Sequence, residues 1–208
     1  MFEGRFKSLR HTVEAAIRDG ISLAFADLRH ANLVNAEMDG AILDNAQLEN
    51  ANLLGANISE ASLYRTSFRN ARMHSAILCE SVIDAAHFEG ALFGATDIAG
   101  ARMKRCVFDT LSALDLNFED TVEININSFV AAHNQLCAFS RPPLTLKGLG
   151  YPIACLDHKL LVGHHAVIPA AREGQLPAAI SAFMRTNRSL LESLWHTHAG
   201  KNTALFAA

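Results

Sequence analysis

No stretch of this 208-residue sequence is apolar for long enough to form a membrane-spanning helix. The opening residues, MFEGRFKSLRHTVEAA, contain no apolar run of the signal-peptide kind, so the expected compartment is the cytoplasm. Cysteine is scarce: Cys79, Cys106, Cys137 and Cys155 stand far apart, without CxxC or metal-ligand spacing. That pattern argues for reduced thiols and against a disulfide framework or a zinc cluster. Charge of one sign is lacking as well, and a net charge of −3 gives no general case for direct nucleic-acid binding. There is no HExxH, no GxSxG, no Gly-rich phosphate loop and no cysteine in a recognisable catalytic context. His158, His164, His165, His196 and His198 cluster late in the chain, but no carboxylate lies near the adjacent pair. His196 and His198 on a helix would point their rings to different faces. Neither a catalytic residue nor a metal or cofactor is therefore expected, and the chain does not read as an enzyme.

What is present is a repeat. Over residues 21–110 a five-residue unit recurs without a break, as in Ala26-Asp27-Leu28-Arg29-His30 and Ala31-Asn32-Leu33-Val34-Asn35. Counting from position 23 to 108 in steps of five gives eighteen units, whose central residue is always Leu, Ile, Met or Phe. Two positions earlier, seventeen of the eighteen are Ala, Ser, Thr or Cys, with Ile21 the exception. A period of five fits neither a helix nor a flat strand. It does fit a chain that turns a corner after each short extended unit, with the central side chain pointing inward and four such sides closing a square coil. Coils would then stack at the strand spacing of about 4.8 Å.

The tandem A(D/N)LXX pattern resembles the pentapeptide-repeat family over about ninety residues. The resemblance implies an all-β solenoid, a right-handed quadrilateral β-helix with twenty residues per coil. The stretch LTLKGLGYPIACLDHKLLVG and the opening FEGRFKSLRHTVEAAIRDG are similar to the segments flanking the repeats in members encoded by phages and prophages. That similarity implies a phage or prophage origin.

Sorting the repeat by twenty gives four inward columns. These are Leu23, Leu43, Leu63, Ile83, Met103; Leu28, Leu48, Phe68, Phe88, Phe108; Leu33, Leu53, Met73, Phe93; and Met38, Ile58, Leu78, Ile98. The late phenylalanines predict stacked rings. The same sorting gives the outer faces. The face centred on Leu28 carries Arg29, Glu49, Arg69 and Glu89 in vertical register, an exposed ladder of alternating charge. The face centred on Leu33 is almost uncharged, and that centred on Leu23 gathers Arg65, Arg102, Lys104 and Arg105, read as a solvated corner. The face centred on Met38 shows Glu37, Asp39, Glu60, Glu80 and Asp97 and no Lys or Arg. Uncompensated like charges cost stability. Two readings are open: solvation of a rod, or a surface kept for a partner.

Outside the repeat, residues 6–19 predict an amphipathic helix that caps the first coil, within an N-terminal segment of residues 1–20. The β-helix is expected over 21–120 and a C-terminal α+β module over 121–208. Glu123 would fall in the core if the phase continued, so 111–130 read as an exit from the solenoid. Residues 127–140 are ambiguous between helix and buried loop. Strands are expected at 144–147, 151–156 and 160–162, then one amphipathic helix of about twenty residues beginning near Pro177, and a frayed tail at 201–208.

Some pentapeptide-repeat proteins are DNA mimics that bind topoisomerases such as gyrase. The resemblance therefore implies a non-enzymatic protein-interaction module. In it the acidic face (Glu37, Asp39, Glu60, Glu80, Asp97) would partly imitate a duplex before a nucleic-acid-binding enzyme. Residues 21–110 carry only eleven acids against seven bases, so full duplex charge is not imitated. The alternative is a scaffold or adaptor whose C-terminal module makes the contact or a homodimer.

Overall fold

The computed structural model describes residues 8–109, 113–167 and 177–199. Phe6, the tail at 201–208 and part of the expected exit, residues 110–112, lie outside them. The expected quadrilateral β-helix is the architecture found. Parallel bridges join each position to the one twenty residues on, along all four sides. The ladders are Asp27–Gln47–Ser67–His87, Asn32–Asn52–Arg72–Leu92, Glu37–Asn57–Ile77–Asp97 and Ile42–Ser62. In the later coils these become regular strands: β1 (Ser62–Tyr64), β2 (Val82–Asp84), β3 (His87–Phe88), β4 (Arg102–Lys104) and β5 (Val107–Asp109).

Each side is closed by two kinds of hydrogen bond. The inward residue's N–H donates to the coil above, as Leu33 N does to Asn52 O at 2.8 Å, and the residue three later folds back, as Ala36 N does to Leu33 O at 3.1 Å. The turn between sides has a left-handed residue at its third position. Every fifth residue from 20 to 105 has a positive φ, from His30 (59°) and Asn35 (52°) to Arg105 (52°). Glycine and asparagine suit such a corner, and they supply Asn35, Gly40, Asn45, Asn50, Gly55 and Asn70. Where the two stack they interlock: a Cβ added at Gly55 would lie 2.3 Å from Asn35 Oδ1 of the coil below.

Above the first coil's Leu23, which is partly buried, the inward columns are buried as expected, Leu33, Leu53, Met73 and Phe93 all being at most 2% exposed. Phe68, Phe88 and Phe108 stack face to face at 5.1 and 5.2 Å between centroids, within 5° of parallel. The small inward position sits too close to the coil below for bulk but not for a hydroxyl. Thr66 Oγ1, Ser81 Oγ and Thr96 Oγ1 each donate to the carbonyl twenty-three residues back, at 2.7–2.8 Å.

The ladder does not end at the position Glu123 marks. One extra residue enters the last turn, and β6 (Glu123–Asn125) and β7 (Asn127–Val130) stack on β4 and β5 with Ile124 over Met103 and Phe129 over Phe108. The side chain that would have been a buried charge is instead outside, bonded to Lys104 at 2.9 Å. The slip breaks one turn bond, and the fully buried Asn127 mends it. Its Oδ1 accepts from Cys106 N at 2.8 Å and its Nδ2 donates to Met103 O at 3.0 Å. Residues 127–140 are neither helix nor loop but a hairpin, β7 turning back antiparallel into β8 (Leu136–Phe139).

Both ends of the rod are covered. At the first coil lies α1 (Leu9–Arg18), N-capped by Ser8, with Val13 and Ala16 buried. Its side chains replace a missing coil: Glu14 Oε1 accepts from Glu37 N at 3.3 Å and Arg10 Nη1 donates to Val34 O at 3.0 Å. At the far end an antiparallel meander, β9 (Leu144–Leu146), β10 (Ile153–Cys155), β11 (Leu160–Val162) and β12 (His165–Val167), turns one face to the solenoid through Ala154, Leu156 and Leu161. Ile153, Cys155, Leu160 and Val162 on its other face pack beneath the C-terminal helices. The expected single helix is two, α2 (Ala178–Thr186) and α3 (Arg188–Ala199), broken where the Asn187 side chain bonds back to Phe183 O at 2.9 Å.

Candidate functional site

Each side of the coil shows solvent the two residues flanking its inward centre, plus a corner. On the Met38-centred side, Glu37 and Asp39 flank the lowest centre, Glu60 and Glu80 occupy successive corners, and Asp97 flanks the centre Ile98. All five are exposed. They rise together over three coil steps, about 14 Å at strand spacing. Glu60 and Glu80 stand one coil apart in left-handed corners, φ 54° and 58°, between Gly40 below and Gly100 above. A long acidic side chain there bears both a conformational cost and a like-charged neighbour at about 5 Å.

None of the five carboxylates has an ion-pair partner among the described residues. Two have local roles: Glu37 Oε2 accepts from Asn57 Nδ2 at 3.2 Å and Asp97 Oδ1 from Ala99 N at 2.9 Å. The face is not wholly without a base, as the repeat alone suggested. Arg18 of α1 lines a shallow hollow of about 260 Å3 with Glu14, Glu37 and Asp39.

Many charges elsewhere are paired, Glu49 and Arg72 being examples of those without an ion pair among the described residues. Arg29 does not reach up to Glu49 as the ladder implied but grips Asp27 on its own side, at 2.8 and 2.7 Å, and this bond holds the Asp27 carboxyl down at about 2. Arg69 meets Glu89 at 3.0 Å. The basic corner is largely neutralised: Lys104 and Arg102 face Glu123, and Arg105 bonds Asp84. The partner role of Glu123 escaped the sequence because the slipped register hid which column it joined.

Cys79 lies half-buried on the acidic side, and burial together with the Asp97 carboxylate raises its thiol above the ordinary range. Cys106 is a core residue whose thiol burial pushes up to about 12. Among the described residues no three His, Cys, Asp or Glu side chains converge as metal ligands would, and no helix is long and apolar enough to cross a membrane. The apolar side of the C-terminal helices is covered, with Leu191 and Trp195 buried against the meander.

Eight copies of the pentapeptide repeat are matched by the family model for pentapeptide repeats, over residues 21–58 and 46–84. Among solved structures, the chain is similar to a pentapeptide repeat protein of the Arabidopsis thaliana thylakoid lumen, at 24% identity over 48% of this chain and 71% of that one, TM-score 0.26. It is similar to the pentapeptide repeat protein Rfr23 of the cyanobacterium Cyanothece 51142, at 30% identity over 38% and 59%, TM-score 0.24. It is also similar to QnrB1, a plasmid-mediated fluoroquinolone resistance protein, at 14% identity over 52% and 60%, TM-score 0.29. No curated protein sequence matches the chain.

Proposed function

We propose that this rod of pentapeptide repeats is a non-enzymatic protein-interaction module. Its Met38-centred face presents carboxylates to the basic, nucleic-acid-binding groove of a DNA-processing enzyme such as a type II topoisomerase or gyrase. The observation that carries the reading is a contrast between faces. Asp27, Asp84, Glu89 and Glu123 each sit against an Arg or Lys. Glu37, Asp39, Glu60, Glu80 and Asp97 share one side and have no such partner among the described residues. An unpaired acidic stripe costs folding free energy, and a cationic groove would recover it on binding. Carboxylates stand in for phosphates there, and the match is partial because one face, not the whole rod, is acidic.

In this reading the protein works in the cytoplasm beside its DNA-processing partner. Its flanking segments support an origin in a phage or prophage. A supercoiling assay with purified gyrase tests it: the full chain inhibits, and a variant carrying Glu37→Gln, Asp39→Asn, Glu60→Gln, Glu80→Gln and Asp97→Asn does not. Inhibition should also weaken as salt is raised from 50 to 200 mM, as exposed charge contacts do. An inert wild type would favour the scaffold role instead.

A further inference from the structure

We propose that the Leu23-centred side is a contact surface for a second copy of this chain, the two rods lying antiparallel. Its lower coils expose a run of apolar side chains. Phe25, in a left-handed corner at φ 63°, is 74% exposed, and Ile42, Tyr64 and Val82 stand outward on the coils above it. A bulky side chain in such a corner costs free energy twice, through backbone strain and through the wetting of an aromatic ring. The side also holds two opposite charges, Asp44 and Arg65, without an ion pair among the described residues. Asp44 Oδ1 accepts from Ser62 Oγ at 2.7 Å and from Tyr64 N at 3.0 Å. The Arg65 guanidinium lies 5.3 Å from the centre of the Tyr64 ring.

The order of residues up the side identifies the occupant. Stacking places Ser22, Ile42, Ser62 and Val82 in one column, small and large in alternation. A two-fold axis along the strands, midway between the second and third coils, lays this column upside down over itself. Ile42 then meets Ser62 of the second copy, and Val82 meets Ser22. The same rotation sets Phe25 over Ala85 and brings Asp44 before Tyr64 and Arg65, so two carboxylate–guanidinium contacts form by symmetry. At the acidic corner, Glu60 falls against Gly40 and Glu80 against Gly20. Bulk thus meets space, as two sheets packed about 10 Å apart require. Half a coil step away, Arg65 would face Arg65 and Asp44 would face Asp84. Four coils of one side cover about 19 Å of rod. That is a smaller patch than the roughly 800 Å2 per partner of a standard interface, so the pair is a weak one. Because the axis runs along the strands, it also leaves the two Met38-centred sides edge to edge on one flank, doubling the acidic wall.

Sedimentation equilibrium of the full chain, from about 5 µM to about 1 mM, tests the pairing. A monomer–dimer equilibrium with a Kd on the order of 100 µM is expected. Ile42→Glu should leave only monomer, and Arg65→Glu, which turns two attractions into repulsions, should weaken the dimer about tenfold or more. Leu92→Glu on the opposite wall and Leu190→Glu on α3 should dimerise as wild type does. All four replaced side chains are exposed, so each variant keeps a melting temperature close to that of the wild type. A chain that stays monomeric throughout the range would overturn the proposal. So would a dimer that survives Ile42→Glu and Arg65→Glu, or one lost equally in Leu92→Glu or Leu190→Glu. No DNA-processing enzyme enters the measurement, so its outcome is separate from that of the supercoiling assay.

Discussion

At the scale of single residues, stability rests on small groups placed where the coil leaves a bond unmade. Asn127 bridges the one turn that the extra residue opens, between Cys106 N and Met103 O. Asn127→Leu strands both groups in the core and should cost about 3 kcal/mol in denaturant unfolding. Thr96→Val removes a hydroxyl from two carbonyls, Met73 O and Phe93 O, and should cost about 1–2 kcal/mol. The thiols make a pH prediction. Burial raises Cys106 and Cys155 to about 12, whereas unfolded thiols ionise near 9. For a group raised in the folded state, the stabilising contribution is whole below the unfolded value and shrinks as pH climbs toward the folded one. Melting temperature should therefore fall progressively between pH 9 and 12, and less so in a Cys106→Ala, Cys155→Ala variant. Among the described cysteines, only half-buried Cys79 should react with a thiol reagent before unfolding.

At the scale of elements, the corners and the caps divide what was legible in the sequence from what was not. Inward positions were legible because a five-residue period cannot be satisfied any other way: Leu53 is fully buried and Asn52, its neighbour, is not. Leu53→Asp should unfold the solenoid, whereas Asn52→Asp, which keeps the oxygen that Leu54 N bonds, should leave its melting temperature nearly unchanged. The corners carried a signal too, in the Asn and Gly of Asn35, Gly40, Asn45 and Asn50, but Phe25, Glu60, Ala85 and Ala95 adopt the same conformation without that preference. Ala95→Gly should accordingly raise stability by roughly 0.5–1 kcal/mol, a sign opposite to that of the same change in a helix. The extra residue before Ile124, the hairpin after it and the break at Asn187 were illegible. Each depends on a tertiary bond, from Asn127, from β8 and from Asn187 Nδ2, and not on a local period. The N-terminal cap was foreseen from helical spacing, and its buried side sets a test. Val13→Asp should lower stability by about 3 kcal/mol or more, and Leu9→Asp, at a position 48% exposed, by no more than about 0.5 kcal/mol.

At the scale of the whole molecule, the acidic side was legible as a column of residues but not in its surroundings. The nearness of Arg18 and the neutralisation of Lys104 and Arg102 by Glu123 follow from how the ends are wrapped. Because each side is five residues long and four sides complete a circuit, the core is indifferent to which wall a unit belongs to. Excising residues 61–65 would leave the central Leu, Met, Ile or Phe of every remaining unit pointing inward, yet would turn everything above the cut by a quarter revolution. Glu80 and Asp97 would then look out over a different wall from Glu37 and Asp39. Such a twisted rod keeps the same fold and almost the same composition while its stripe is cut in two, so its behaviour toward a partner would report on alignment alone.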